Sequence, residues 1–550
     1  MINHFQKHQY LFLICSLFFF YLMDLGNPQA LTQGTEGFYL QITKEMWEAK
    51  SFLTPLYHGE AHWSKPPLHF WMPFPYYFLS GGFSLWAVRL CLVLFTFTGL
   101  FYISKWVETH TSLNKKFSFI FLLSTLAFFK YGRIYMMEMP LTLFTVCASL
   151  TFYNFLLFKK KSDFWIATIL LACATLIKGP ISLVMAGASM GLTVLYFQFR
   201  KKENHWRSLV LWGFFSTLLA SLWFIACYLK YGSSFFDYFF LRENMGKFSS
   251  KSYPLSSLFN GLLAYSAPWI LFLPLAFYHI AKKVHPLLDE KHSSLIPFLS
   301  LHFCVFFFIW FIPAQRSYHY AVPSIPFLLL IILVGAFAIP SRMTDDNNTF
   351  RLTNIVWVIT SFVTSLIIGL TIFVIAFAGT FMTVTNYFKA ILALVILITA
   401  LVIMIRRISF EWKFASALWV IGSLWTLLIP VFFLPLVPSE VLQKINPKSF
   451  AVSYRKPFFV EEALGYPVKI FDQSETAKMI CQYEQLFMPQ YALDKYKLTS
   501  KVELISSWPV WRRGNESADF IKAYEKKSLK SLQENMVLVK AKSCYKGKLK

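Results

Sequence analysis

Charge is scarce in this sequence. Asp, Glu, Lys and Arg make up 15% of its 550 residues, against the ~25% usual in a soluble globular chain. Hydrophobic residues make up 56% and aromatics 19%, so a water-soluble fold of ordinary composition is excluded. Cysteine is sparse too, with eight in all. Six of them (Cys15, Cys91, Cys147, Cys173, Cys227 and Cys304) lie in apolar runs without metal-ligand spacing, where a free thiol behaves as a small hydrophobe. There is no P-loop motif to couple the chain to nucleotide hydrolysis. No internal repeat suggests the paired halves of a transporter. No small-residue cleavage pattern follows the first apolar run, which therefore reads as a retained helix and not as a signal peptide.

What is abundant is apolar sequence of membrane-spanning length. A run of ~20 residues crosses ~30 Å of hydrocarbon as a helix, and only a helix satisfies its own backbone there. About thirteen such spans are expected, at 9–23, 83–104, 117–134, 139–158, 163–178, 181–199, 207–228, 258–281, 294–313, 321–339, 353–378, 387–405 and 414–437. The formal net charge of +24 is not a nucleic-acid signature, because the basic residues cluster between these runs. Lys115-Lys116, Lys159-Lys160-Lys161, Arg200-Lys201-Lys202, Lys282-Lys283 and Arg406-Arg407 all fall on one side once the N-terminus is placed in the cytoplasm. That agreement sets the orientation, since loop Lys and Arg stay inside. The loops 24–82, 229–257 and 314–320, with the C-terminal region, then lie outside.

The fold expected is an all-α polytopic membrane domain over residues 1–437, followed by a small α/β extracytoplasmic domain over 438–550. The second segment carries 20 Lys and Arg against 12 Asp and Glu, as a solvated domain would. "YPVKIFD", "KVELIS" and "NMVLVKAK" read as strands, and "SETAKMICQYEQLF" and "SADFIKAYEKKSLKSLQE" as helices. Cys481 and Cys544 sit in this segment; in an oxidising compartment the two either form a disulfide or stay free.

The polar residues of the outer face carry the functional reading. The first loop is long for a bundle and not disordered by composition. In "GTEGFYLQITKEMWEA", Phe38, Ile42, Met46 and Trp47 share one helical face, as in an interfacial helix. Thr35 suits its N-cap and Glu36 its first turn. "HWSKPPLHFW" places Lys65 just before a second interfacial segment, where it either meets a phosphate or snorkels. "YGRIYMMEMP" sets Arg133 and Glu138 at a membrane boundary, as a mutual pair or as functional groups. "LIKGP" brings Lys178 to the outer end of the fifth span. "LRENMGKFSS" brings Arg242, Glu243, Asn244 and Lys247, and "AQRSYHY" brings Arg316, His319 and Tyr320. One membrane face thus collects cations suited to an anionic phosphate and carboxylates able to take a proton.

In this order, the acid after span one, "SKPPLHFW", the Arg-plus-acid pair before span four, "KGP" and "RSYHYAVPSIP" resemble the membrane glycosyltransferases of the aminoarabinose-transferase and protein mannosyltransferase type. The resemblance covers most of residues 24–325. It implies the GT-C fold and transfer of a sugar from a polyprenyl-phosphate carrier to lipid A, a glycan or a protein at the outer face of the bacterial inner membrane. Residue by residue, it implies Glu36 and Glu138 as the catalytic acids. Lys65, Lys178 and Arg316 would be phosphate contacts. Arg133, Arg242, His319 and Tyr320, gathered on the same face, are read as substrate-binding beside them. The chain departs from the family at Thr35, where an Asp is usual, at Ser64, where an acid is usual, and at Asn244, where a histidine is common. The base is therefore Glu36 or Glu138. The last departure removes a ligand for a divalent cation, the one cofactor the family suggests. The rival readings are a transporter or flippase and an inactive relative that only binds the lipid carrier.

Overall fold

A computed structural model describes residues 2–26, 34–248, 254–281, 294–314, 316–338, 347–377, 384–406, 408–430, 438–453, 458–464, 466, 468–511, 524–528 and 533–542. The protein is mostly helical and polytopic. Among the described residues, seven helices are long and apolar enough to cross a membrane, and a bent pair makes an eighth if counted as one span. Each of the thirteen apolar runs read from the sequence contains helix, but several do not form one straight span. The run 117–134 divides into Lys115–Leu123 and Leu126–Tyr131. At the break the Ser124 hydroxyl donates to the carbonyls of Ile120 and Phe121, and the Leu126 N–H turns to the Ala267 carbonyl. The run 258–281 bends by 90° between Ser256–Tyr265 and Trp269–Ala281.

The chain forms two compact units. The first comprises Met1–Leu25, Ile42–Ser365 and Thr399–Gly422, and the second Gly26–Gln41, Leu366–Ile398 and Ser423–Lys550. In the first, helix Tyr318–Ala338 is 94% buried over its most apolar window, whereas helix Trp206–Tyr231 is 22% buried over its own. With no hydrophobic drive between helices in lipid, packing and interhelical hydrogen bonds must hold them. Aromatic contacts supply much of this: Trp212 stacks on Phe152 at 4.3 Å and Trp269 on Phe121 at 5.3 Å. Arginines tie down the end of the first helix, Ile2–Leu22. Arg89 donates to the Leu25 carbonyl at 2.8 Å. Arg133 donates to the carbonyls of Tyr21, at 3.1 Å, and Met23. Cations at a helix C-terminus satisfy carbonyls that have no partner within the helix.

The described part of the first long loop, from Gly34 on, is built from short elements. It holds helix Gly34–Glu48, a hairpin of β1 (Leu56–Tyr57) and β2 (Glu60–Ala61), and short helices Leu68–Trp71 and Phe74–Ser80. Glu36 falls in the first turn as expected, but the helix starts at Gly34, so Thr35 lies inside it. The hairpin has no counterpart in the sequence reading. Its turn is held by the Glu45 carboxylate, which accepts from the N–H groups of His58 and Gly59 at 3.0 Å each.

The second unit contains a five-stranded mixed sheet of β3 (Phe450–Val452), β4 (Lys469–Ile470), β5 (Gln485–Pro489), β6 (Val502–Trp511) and β7 (Gln533–Ala541). The strands are ordered β4-β3-β5-β7-β6. β3 pairs parallel with β4 and β5, and β7 pairs antiparallel with β5 and β6. β5 is buried along its whole length. Leu486 and Met488 pack with Ile480 and Val537, and Phe487 with Val452 and Leu538, so both faces are covered. The helix expected over "SETAKMICQYEQLF" is confined to Thr476–Gln482; its end becomes β5 because that strand is paired on both edges. Most of the second expected helix, and Cys544 with the Cys481 pairing, lie outside the described residues.

Candidate functional site

Glu138 opens helix Glu138–Phe158. Pro140 lies in the same first turn, where a missing N–H costs nothing, and the helix dipole favours an acid there. The carboxylate is 3% exposed and its partners come from two distant segments. Lys178 Nζ donates to Oε1 at 3.4 Å, and His319 Nε2 faces the same oxygen at 3.4 Å. Oε2 is buried without a hydrogen-bond partner among the described residues. Glu138 is paired with these groups and not with Arg133, whose guanidinium is directed to the first helix. The structure therefore does not form the mutual Arg133–Glu138 pair offered as one alternative.

Lys178 ends helix Lys161–Lys178, and Gly179 follows at φ 84°. A β-carbon there would be strained, and would stand 3.2 Å from the Phe239 ring; this is what the glycine of "KGP" provides. The ammonium lies over the rings of Tyr320 at 4.7 Å and Trp310 at 5.4 Å, a cation–π setting. Arg316 donates to the Phe311 carbonyl at 3.0 Å. Ser317 Oγ is 2.9 Å from His319 Nδ1. Helix Ser256–Tyr265 backs this segment closely: a β-carbon on Gly261 would stand 2.1 Å from the Tyr318 carbonyl oxygen.

A second polar group gathers where the first loop meets the segment after helix Trp206–Tyr231. Trp63, Trp223, Phe235 and Phe239 form a shared apolar cluster. The Trp223 N–H donates to the Leu53 carbonyl at 2.9 Å, and Thr54 bonds the Tyr231 hydroxyl at 2.6 Å. On this base Lys65 lies 3.9 Å from Glu243, His62 Nδ1 lies 3.1 Å from the Tyr238 hydroxyl, and exposed Arg242 stacks on Tyr238 at 5.0 Å. Burial pushes the His62 imidazole below its ordinary value; Glu243 opposes that shift, and Lys65 and Arg242 add to it.

The structure thus brings Glu138, Lys178, His319 and Tyr320 together, and separately Lys65, His62, Arg242 and Glu243. Glu36 is fully buried and belongs to the second unit. There Gly37 packs on Phe458, whose β-carbon would be 3.0 Å from one added to the glycine. Lys130 was missed by the sequence reading: its Nζ is 3.4 Å from the Tyr265 hydroxyl and it shares the electrostatic field of Glu138. Its signal was a lysine inside an apolar run, "FFKYG". Glu138 and His319 are donors of types a divalent cation accepts, but among the described residues no group of three or more His, Cys, Asp or Glu gathers.

Residues 64–230 match the family described as dolichyl-phosphate-mannose-protein mannosyltransferase. The fold is that of ArnT from Cupriavidus metallidurans in the apo state, with a TM-score of 0.67 at 14% identity over 100% of both chains. The same protein bound to undecaprenyl phosphate gives a TM-score of 0.66 at 14% identity, over 98% of this chain and 99% of that one. An uncharacterized protein of Aquifex aeolicus (strain VF5) is 26% identical over 326 residues, which is 59% of this chain and 63% of the relative. The chain thus spans less than two thirds of the length of that relative. Fold and site together define a mostly helical, multi-pass integral membrane protein with an ArnT-like fold. More particularly, it resembles the membrane glycosyltransferases of the aminoarabinose-transferase and protein mannosyltransferase type, as its sequence motifs indicate.

Proposed function

We propose that the protein is an integral-membrane glycosyltransferase. It moves a sugar from a polyprenyl-phosphate carrier to an acceptor hydroxyl on lipid A, or on another envelope glycan or protein, at the outer face of a bacterial inner membrane. In this reading residues 1–437 form the membrane domain, 438–550 form a periplasmic domain and the N-terminus is cytoplasmic. The observation that carries the reading is the buried Glu138 carboxylate, with Lys178 and His319 beside one oxygen and the other oxygen without a hydrogen-bond partner among the described residues.

The chemistry follows from those groups. The acceptor oxygen attacks the anomeric carbon, its proton passes to Glu138 Oε2, and the bond from the anomeric carbon to the phosphate oxygen breaks. Polyprenyl phosphate leaves with that electron pair. Lys178, beside Glu138, offsets the charge that grows on the leaving phosphate, which is the step where fixed cations lower the barrier most; Lys65, Arg242 and Arg316 are read from the sequence motifs as further contacts of the carrier. Tyr320 supplies an aromatic face beside it.

Thr35 and Ser64, standing where relatives carry acids, favour a second reading: a protein that binds the lipid carrier without transfer. One experiment separates the two. Purified protein in lipid vesicles is given a panel of polyprenyl-phosphate sugars and an outer-membrane acceptor extract, and free polyprenyl phosphate is followed. Release above protein-free vesicles supports transfer. Donor binding across the panel with no release supports the binding protein, and neither binding nor release contradicts both.

A further inference from the structure

His319 was expected to touch substrate, yet both of its ring nitrogens face protein groups. Nδ1 lies 2.9 Å from Ser317 Oγ and Nε2 lies 3.4 Å from Glu138 Oε1. The residue is tightly placed. Its segment runs against Gly261, its ring meets Tyr320 edge-on at 4.8 Å, and the span it begins, Tyr318–Ala338, is the most buried of the candidate spans. We infer that Ser317 and His319 are positioning residues that act through Glu138, fixing which of its two oxygens is left for the acceptor proton. This inference rests on the transfer reading above.

The physical argument is a matter of which group can donate. A serine hydroxyl offers one proton and two lone pairs, and a neutral imidazole has one donor and one acceptor nitrogen. If Ser317 donates to Nδ1, the ring proton sits on Nε2, the nitrogen that lies 3.4 Å from Oε1. The bond made by one ring nitrogen sets the state of the other. Oε1 then accepts from Lys178 and has His319 Nε2 beside it, while Oε2, which has no partner among the described residues, is the oxygen left to accept. Without the serine the ring is free to adopt the other tautomer, with a lone pair facing the carboxylate and repelling it. Lys178 alone would leave the carboxylate free to rotate about its last bond. Lys130, His69, Tyr131 and Tyr265 also share the field of Glu138, but none of them makes a hydrogen bond to it in this arrangement.

The test is a double-mutant cycle in the vesicle transfer assay, with kcat and the donor KM measured separately. His319→Ala is expected to lower kcat by about tenfold or more, since orientation of a proton acceptor is worth a large part of its catalytic effect. The donor KM should change less than about twofold, because no ground-state contact with the donor is lost. His319→Gln, whose amide can still donate to Oε1, should recover part of the loss. Ser317→Ala should act in the same direction and Ser317→Thr should restore it. In the Glu138→Gln background, His319→Ala should cost nothing further, because a residue acting through Glu138 has nothing left to position. The inference is overturned if the losses multiply in the double variant, or if His319→Ala raises the donor KM with kcat intact. Full turnover by Glu138→Gln contradicts the reading of Glu138 as the base, and that result is separate from the cycle. The same cycle in thermal stability guards against misfolding: independent losses there would also overturn the inference.

Discussion

Gly261 and Tyr318 are in direct backbone contact: a β-carbon on the glycine would lie 2.1 Å from the tyrosine carbonyl oxygen. The obstacle is main chain, so no rotamer change relieves it. Gly261→Ala is therefore expected to push the segment bearing His319 and Tyr320 away from Glu138. Overpacking of this kind costs about 1–3 kcal/mol, which should appear as a lower melting temperature in detergent. Turnover should fall further than stability alone explains. A variant with wild-type melting and wild-type turnover would show that the segment adjusts freely.

Lys178 and Glu138 form a pair with side chains 13% and 4% exposed. Removing one partner of such a pair leaves a buried charge uncompensated, at a cost of about 3–5 kcal/mol. Lys178→Met should thus destabilise strongly, and adding Glu138→Gln should return much of the loss. Thermal melts of the two single variants and the double variant check this; additive losses would mean that the two side chains do not interact.

Arg133 was expected in the substrate site, and its placement leads to a different expectation. Its guanidinium holds the carbonyls of Tyr21 and Met23 and packs on Phe129 at 5.0 Å. Hydrogen bonds from a charged donor contribute about 1.5–3 kcal/mol each. Arg133→Ala should lower stability by an amount of that order and leave the donor KM of the surviving protein unchanged. A selective rise in the donor KM would restore Arg133 to the phosphate site.

His62 gives a pH dependence whose sign is fixed. Burial lowers its folded pKa, below the ~6.5 of an exposed histidine. The unfolded chain therefore binds the proton more readily, and protonation favours unfolding. The stability this neutral imidazole contributes is present above about pH 6.5 and is lost as pH falls through the folded value. Melting temperature plotted between pH 8 and pH 5 should decline towards acid, and less steeply in His62→Gln. An identical slope in the variant would remove His62 as the source.

How much of this was legible beforehand differs by element. The helices followed from run length, because lipid leaves the backbone no other solution. The breaks did not: Ser124 back-bonding and the Leu126–Ala267 hydrogen bond are tertiary events inside uniformly apolar sequence. Strand β5 was read as helix because the periodicity of "CQYEQLF" cannot reveal that both edges will be paired. In the site, the residue types at the ends of the helices were readable. Their grouping was not: nothing in "LIKGP" or "RSYHY" tells that Lys178 and His319 meet at one oxygen of Glu138, or that Arg133, close by in sequence, turns away to the first helix. Lys130 was legible as a misplaced charge and was passed over.

The most direct test of the account uses the acid at its centre. Wild type and Glu138→Gln, reconstituted in lipid and loaded with a polyprenyl-phosphate sugar that the wild type turns over, are chased with acceptor in a single turnover. The account predicts equal donor loading and a release rate lower in the variant by about 10²–10⁴-fold, the usual worth of a positioned base. Release at the wild-type rate from Glu138→Gln would contradict it.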